Sequence, residues 1–130
     1  MAKLIANKLA PKSSIKKVAV IGAGTMGAGI AGQVANAGVE VWLLDLPSKT
    51  DSINALAERG FKRLQNLNSP GLMSNDAGQL IHCGNTTDDF EQLADCDWIA
   101  EAVVERLDIK QALYRRIEAI TGPQTIVTSN

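Results

Sequence analysis

The chain has 130 residues, 45% of them hydrophobic and 21% charged, with 13 Lys and Arg against 14 Asp and Glu. That is one domain's worth, able to bury roughly two-thirds of its unfolded surface, and a second full domain does not fit. A formal net charge of −1 excludes the broad basic field of a nucleic-acid binder, and no apolar run approaches the roughly 18 residues of a membrane span, so neither nucleic acid nor membrane is an expected partner. Cys83 and Cys96, with a single histidine, form neither a disulfide framework nor a zinc pattern. A soluble, cytoplasmic protein is expected.

Met1 to Ser14 carries Lys3, Lys8 and Lys12 and no acid, and residues 1–15 are read as a flexible tail. Val18 to Ile21 is a short β-branched run that reads as a first strand, and Thr25 to Ala37 carries a helical pattern. Between them lies Gly22-x-Gly24-x-x-Gly27. In this motif the first glycine makes a tight turn, the second lets backbone approach a pyrophosphate, and the third lets helix and strand pack closely. The phosphates then sit at a helix N-terminus, where unpaired N–H groups and the macrodipole favour negative charge. A second strand, Val39 to Asp45, ends on a carboxylate 18 residues beyond Gly27. That spacing suits an acid accepting from the adenosine ribose hydroxyls of a dinucleotide. Gly22, Ala23, Gly24, Thr25, Met26, Gly27 and Asp45 are therefore candidate cofactor-binding residues.

Ile53, Leu56, Ala57, Phe61, Leu64 and Leu67 recur at spacings of three and four, which predicts an amphipathic crossover helix. Its opposite face, with Asp51, Glu58, Arg59, Lys62 and Arg63, reads as solvated. Asn66 to Gly71 breaks it, and a third strand is expected around Leu80 to Cys83, with His82 near a sheet edge and without a catalytic partner. A helix start at Thr86 to Asp89 leads into Phe90 to Leu93, and a fourth strand spans Trp98 to Val103. Leu107 to Ile120 predicts a helix with Leu107, Ala112, Leu113, Ile117 and Ile120 inward, closed by Gly122-Pro123, and Thr125 to Thr128 a fifth strand. Both cysteines and both tryptophans, Trp42 and Trp98, are read as packing residues. Strand and helix alternate five times, so the expected fold class is α/β: a doubly wound parallel sheet, the Rossmann fold, with helices on both faces.

Three blocks carry a resemblance to a known family: Val20-Ile-Gly-Ala-Gly-Thr-Met-Gly-Ala-Gly-Ile-Ala31, Asp97-Trp-Ile-Ala-Glu-Ala-Val-Val-Glu-Arg-Leu-Asp-Ile-Lys110 and Ile126-Val-Thr-Ser-Asn130. Together they resemble the NAD-binding domain of 3-hydroxyacyl-CoA dehydrogenases over Lys16 to Asn130. The resemblance implies NAD as cofactor, oxidation of the 3-hydroxyl of an acyl-CoA in fatty-acid β-oxidation, and Val103, Val104, Glu105 and Lys110 beside the nicotinamide half. It also implies that residues 16–130 are a domain truncated before a catalytic His-Glu pair and a helical dimerisation region, that the intact parent is a homodimer, and that acyl-CoA is held through that missing region. The family's serine and lysine contacts to CoA have no counterpart that can be aligned here, with Gly60 near where the serine would fall. Rival readings are a related dehydrogenase of β-hydroxy acids or sugar acids, and a non-catalytic NAD-sensing module.

Overall fold

A computed structural model describes residues 15–66, 72–103 and 106–129. Five strands form one sheet: β1 (Lys17–Ile21), β2 (Glu40–Asp45), β3 (Ile81–Asn85), β4 (Trp98–Glu101) and β5 (Ile126–Ser129). All neighbours are parallel, in the order β3-β2-β1-β4-β5. The chain starts in the middle, winds outward to β3, then crosses β1 to build β4 and β5. The reversal lies between β1 and β4, and a crevice at the carboxyl ends of those strands is where ligands bind in open α/β sheets.

Alternation along β1 sorts the core into two layers. Val18 and Val20 face α1 (Thr25–Asn36) and α2 (Ala55–Leu64), packing with Ala28, Ala31, Ala35, Ala57 and Leu64. Ala19 and Ile21 face the other way, against Leu93, Leu113 and Ile117 from the 3₁₀ turn Phe90–Asp95 and from α4 (Leu107–Ile120). Strand side chains point alternately to opposite faces, so a central strand must be apolar throughout, as Val18 to Ile21 is. The buried face of α1 is Gly27, Ala28, Ala31, Gly32 and Ala35, and such small residues let the helix lie close on the sheet. The short α3 (Asn75–Gly78) is capped by the Ser74 hydroxyl, which accepts from the Ala77 N–H at 3.2 Å.

Several expectations need correction. The helix expected from Ile53 onward starts at Ala55, with Ile53 46% exposed before it, and Leu67 lies outside the described residues. β3 extends two residues further than expected, to Asn85, and the segment at Phe90 is a 3₁₀ turn. β4 ends at Glu101 because the Glu101 carboxylate takes the Val103 N–H at 2.7 Å and turns the chain off the ladder. Leu107 and Ala112 do not face inward. Leu107 is 72% exposed in the first turn of α4, and Ala112 opens onto a cleft described below. Helical periodicity finds the apolar stripe of α4 but not the rotation at which the helix meets the sheet, which puts Leu113 and Ile117 inside.

The tail residues 1–14, together with Val104, Glu105 and Asn130, lie outside the described residues. No described helix is long and apolar enough to cross a membrane.

Candidate cofactor site

At the carboxyl edge of the sheet the glycine loop, the end of β2 and the end of β4 come together. Gly22 has φ +107°, a conformation that side chains disfavour, and a Cβ there would stand 2.6 Å from the Ala102 carbonyl oxygen. The chain therefore turns out of β1 while pressed against the end of β4. Gly22 N–H donates to Leu44 O at 2.7 Å, and Ala102 N–H to Ile21 O at 2.8 Å, which continues the ladder past the assigned strands. At Gly27 an added Cβ would run into the Gly22 carbonyl, so helix and turn are in backbone contact. Around Gly24 an added Cβ meets nothing within 4 Å. That glycine has no structural neighbour to accommodate, and the open space above it is where a ligand's phosphates can approach.

Gly24 is the N-cap of α1 and supplies no side chain to its first turn. The leading N–H groups of a helix lack intrahelical partners, which makes such an end favourable for an anion. The Asp45 carboxylate reaches back to the loop, its Oδ2 accepting from the Ala23 N–H at 2.8 Å and its Oδ1 from the Leu46 N–H at 2.7 Å. Each carboxylate oxygen retains a second lone pair for a ribose hydroxyl. Asp45 and the glycine loop are thus brought together as the spacing suggests.

A cleft of about 260 Å³ opens beside them, lined among others by Gly22, Asp45, Leu46, Thr86, Val103 and Arg116. Its walls are mostly apolar side chains, with Ile109, Ala112 and Leu113 of α4 on one side. Arg116 is engaged rather than free: its guanidinium donates to Thr86 O at 2.7 Å and lies 3.9 Å over the Phe90 ring. Thr86 N–H in turn donates to Asp45 O at 3.0 Å. Thr86, Ile109, Leu113 and Arg116 were not read as site residues, since three of them lie along α4 and Thr86 follows β3, and none belongs to the glycine motif.

Beyond the cleft, Glu101 is a carboxylate with a fully buried side chain. It accepts from Val103 N–H at 2.7 Å and Ser129 Oγ at 2.7 Å, with Tyr114 Oη at 3.5 Å and Lys110 Nζ at 3.4 Å. A buried charge persists only when paired and hydrogen-bonded, and here three elements supply the donors. Lys110 Nζ also lies 3.4 Å from Ser129 Oγ. Glu101 was missed, although an acid closing the apolar run Trp98-Ile-Ala is itself a signal. Of the residues expected near the nicotinamide half, Val103 lines the cleft and Lys110 joins this cluster, while Val104 and Glu105 fall outside the described residues. Met26 is 60% exposed, and its side chain lies along a different groove with Ile30, Gln33 and Trp98. Thr25 is exposed at the start of α1.

The remaining chemistry-bearing residues lie elsewhere. His82 is on the edge strand β3, its ring 4.9 Å from Trp42 and its Nε2 3.2 Å from Glu40 Oε2. Glu40 begins β2, so His82 sits toward the amino edge of the sheet, away from the glycine loop. Burial pushes the Cys83 thiol up to about 11, helped by the charge of Glu58, and burial pushes Cys96 up to about 12. Both thiols are thus protonated packing groups. The face of α2 read as solvated is exposed, and on it Arg63 also reaches the loop, its Nη1 donating to the Ala23 carbonyl at 2.8 Å. Among the described residues no group of His, Cys, Asp and Glu is placed to hold a metal ion.

The family described as "3-hydroxyacyl-CoA dehydrogenase, NAD binding domain" matches residues 17–130. A probable 3-hydroxyacyl-CoA dehydrogenase of Deinococcus radiodurans is 48% identical over 118 residues, covering 89% of this chain and 34% of that protein. The peroxisomal fatty acid beta-oxidation multifunctional protein of Arabidopsis thaliana is 33% identical over 121 residues, covering 89% of this chain and 16% of that protein. Among solved structures, 3-hydroxybutyryl-CoA dehydrogenase of Escherichia coli K12 superposes with a TM-score of 0.72 at 31% identity, over 90% of this chain and 25% of the other. The chain spans about a third or less of the length of these relatives.

Proposed function

The chain belongs to the 3-hydroxyacyl-CoA dehydrogenase NAD-binding family, and from that premise we propose that it is the cofactor domain of an enzyme that oxidises a 3-hydroxyacyl-CoA to the 3-oxoacyl-CoA. Its cofactor is NAD. The observation that carries the site assignment is the open approach at Gly24 beside an uncapped helix N-terminus, with the Asp45 carboxylate at the edge of the same loop. In this reading Gly22 to Gly27 cradle the pyrophosphate, Asp45 takes the adenosine ribose, and the apolar cleft between Leu46 and α4 receives the adenine. Val103, which also lines that cleft, Val104, Glu105 and Lys110 are assigned to the nicotinamide half through the family resemblance. The bound dinucleotide supplies hydride acceptance, and this chain's residues bind it, orient it and exclude water from one of its faces.

Residues 16–130 act as this domain, and acyl-CoA, the base that removes the hydroxyl proton and the homodimer contacts belong to the rest of the intact, cytoplasmic parent. Two facts support that division. The one histidine of the chain is held at the far edge of the sheet by Glu40 and Trp42, and this chain covers only 34% and 16% of two of its relatives. The match to the acyl-CoA family over residues 17–130 favours this reading over dehydrogenases of other hydroxy acids.

The test is a titration of this chain with NADH and NADPH, followed by calorimetry. NADH should bind at least about tenfold more tightly, because the Asp45 carboxylate accepts from a free 2′-hydroxyl and repels a 2′-phosphate. Asp45→Ala should narrow that gap. NADPH binding equal to NADH in the unaltered chain would remove Asp45 from the ribose site.

A further inference from the structure

The glycine loop carries no charged residue, and the one carboxylate bonded to it, Asp45, would repel the phosphates that the loop is read as holding. A compensating cation is present on the opposite side. α2 approaches the loop so closely that a Cβ at Gly60 would stand 2.6 Å from the Ala23 carbonyl oxygen and 3.0 Å from the Ala23 Cβ. Residues three apart on a helix share a face, so Arg63, one turn on from Gly60, reaches the same carbonyl, with Nη1 at 2.8 Å. Ala23 is therefore gripped at both backbone polar atoms, its N–H by Asp45 at 2.8 Å and its C=O by Arg63.

The second grip has a directional consequence. A peptide unit is planar and trans, so a carbonyl and the N–H that follows it point in opposite directions. Holding the Ala23 carbonyl toward α2 aims the Gly24 N–H away from α2, at the N-cap of α1, where it meets no acceptor among the described residues. A guanidinium carries five N–H donors in a fixed fork, and one of them is used on Ala23. We propose that Arg63 is a positioning residue for the dinucleotide phosphates: it sets the Gly24 amide for the pyrophosphate and places a permanent positive charge beside it. Gly60 is the position that lets it do so. The inference rests on the assignment of the glycine loop to the pyrophosphate, and it assigns Arg63 to the cofactor rather than to solvent alone.

Three variants of this chain separate the roles: Arg63→Met removes charge and donor, Arg63→Gln keeps a donor for Ala23 without the charge, and Arg63→Lys keeps the charge without the fork. Each is titrated with NADH and with ADP-ribose by calorimetry, and with adenosine by NMR, alongside circular dichroism melts. Arg63→Met should weaken NADH and ADP-ribose alike by about tenfold and leave adenosine, which has no phosphate, unchanged. Arg63→Gln and Arg63→Lys should fall between Arg63→Met and the parent. Parent-like affinity for ADP-ribose in Arg63→Met overturns the proposal, as does an equal loss for adenosine, which marks a merely structural strut. If Arg63→Met does not fold, parent-like ADP-ribose binding by Arg63→Gln and Arg63→Lys together overturns it. Gly24→Val serves as the control: loss of ADP-ribose binding there keeps the pyrophosphate assignment standing even if Arg63 fails.

Discussion

The β1–β2 half and the β4–β5 half of the sheet's carboxyl edge are held together by different physics. Around the glycine loop that follows β1 the contacts are with backbone: Gly22 on the chain just past β4, Gly27 on Gly22, Gly60 on Ala23, each requiring the absence of a side chain. Between β4 and β5 the contact is one buried carboxylate, Glu101, gathering donors from the strand-to-helix turn, α4 and β5. The first half is sensitive to volume and the second to hydrogen-bonding capacity. The proposed phosphate role of the loop fits backbone donors and empty space, since a side chain at Gly24 would occupy the ligand's place. A sheet end that has only to stay in register can use a side chain.

The sharpest way to break this comparison is within the glycine loop itself. Gly27→Val should abolish folding or cost more than about 3 kcal/mol, because the new side chain meets the Gly22 carbonyl with no room to turn aside. Gly24→Val should leave the melt nearly unchanged yet weaken NADH at least about a hundredfold, since its surroundings are empty until the cofactor arrives. A folded Gly24→Val that binds NADH normally would sink the pyrophosphate assignment.

Glu101 tests the other half. Glu101→Leu strands the Val103 N–H, takes the acceptor from the Ser129 hydroxyl and removes one partner of the Lys110 ammonium, and should cost about 3 kcal/mol in urea unfolding. Glu101→Gln keeps an acceptor and should cost about half as much. A Glu101→Leu chain within about 0.5 kcal/mol of the parent would show that an apolar contact serves β4 and β5 equally well.

The smallest effect concerns the thiols. Burial holds Cys83 near 11 and Cys96 near 12 against an ordinary 9.0, so the folded chain keeps protons that the unfolded chain releases above about pH 9. Stability from these groups is present below that pH and is lost as pH rises through 9 toward 12. At pH 8 a disulfide reagent should modify both at least about tenfold more slowly than it does the urea-unfolded chain. Rapid modification of Cys96 in the native chain would contradict its burial.

How much of this was legible in the chain depends on how far apart the partners lie. The apolar run Val18 to Ile21, the three glycines and Asp45 were readable because strand, turn and helix follow one another within 28 residues, and each glycine answers a steric demand made by its own turn. The parallel doubly wound order followed from alternating strands and helices, because short right-handed crossovers leave few other topologies. Of the inward set of α4, Leu113 and Ile117 are buried and Ile120 packs against the same core, whereas Leu107 and Ala112 do neither.

By itself, then, the sequence determined the fold class, the glycine turn and the acid at its edge, all of which are local steric and spacing requirements. Only the tertiary structure decided that Arg63 bonds to Ala23 across 40 residues, that Arg116 braces Thr86 across 30, and that Ser129 meets Glu101 across 28. Periodicity tells which stripe of a helix is apolar, but a long polar side chain stands at the rim of that stripe. Whether it meets water or a distant carbonyl depends on the rotation and separation of packed elements, which every contact in the core sets jointly.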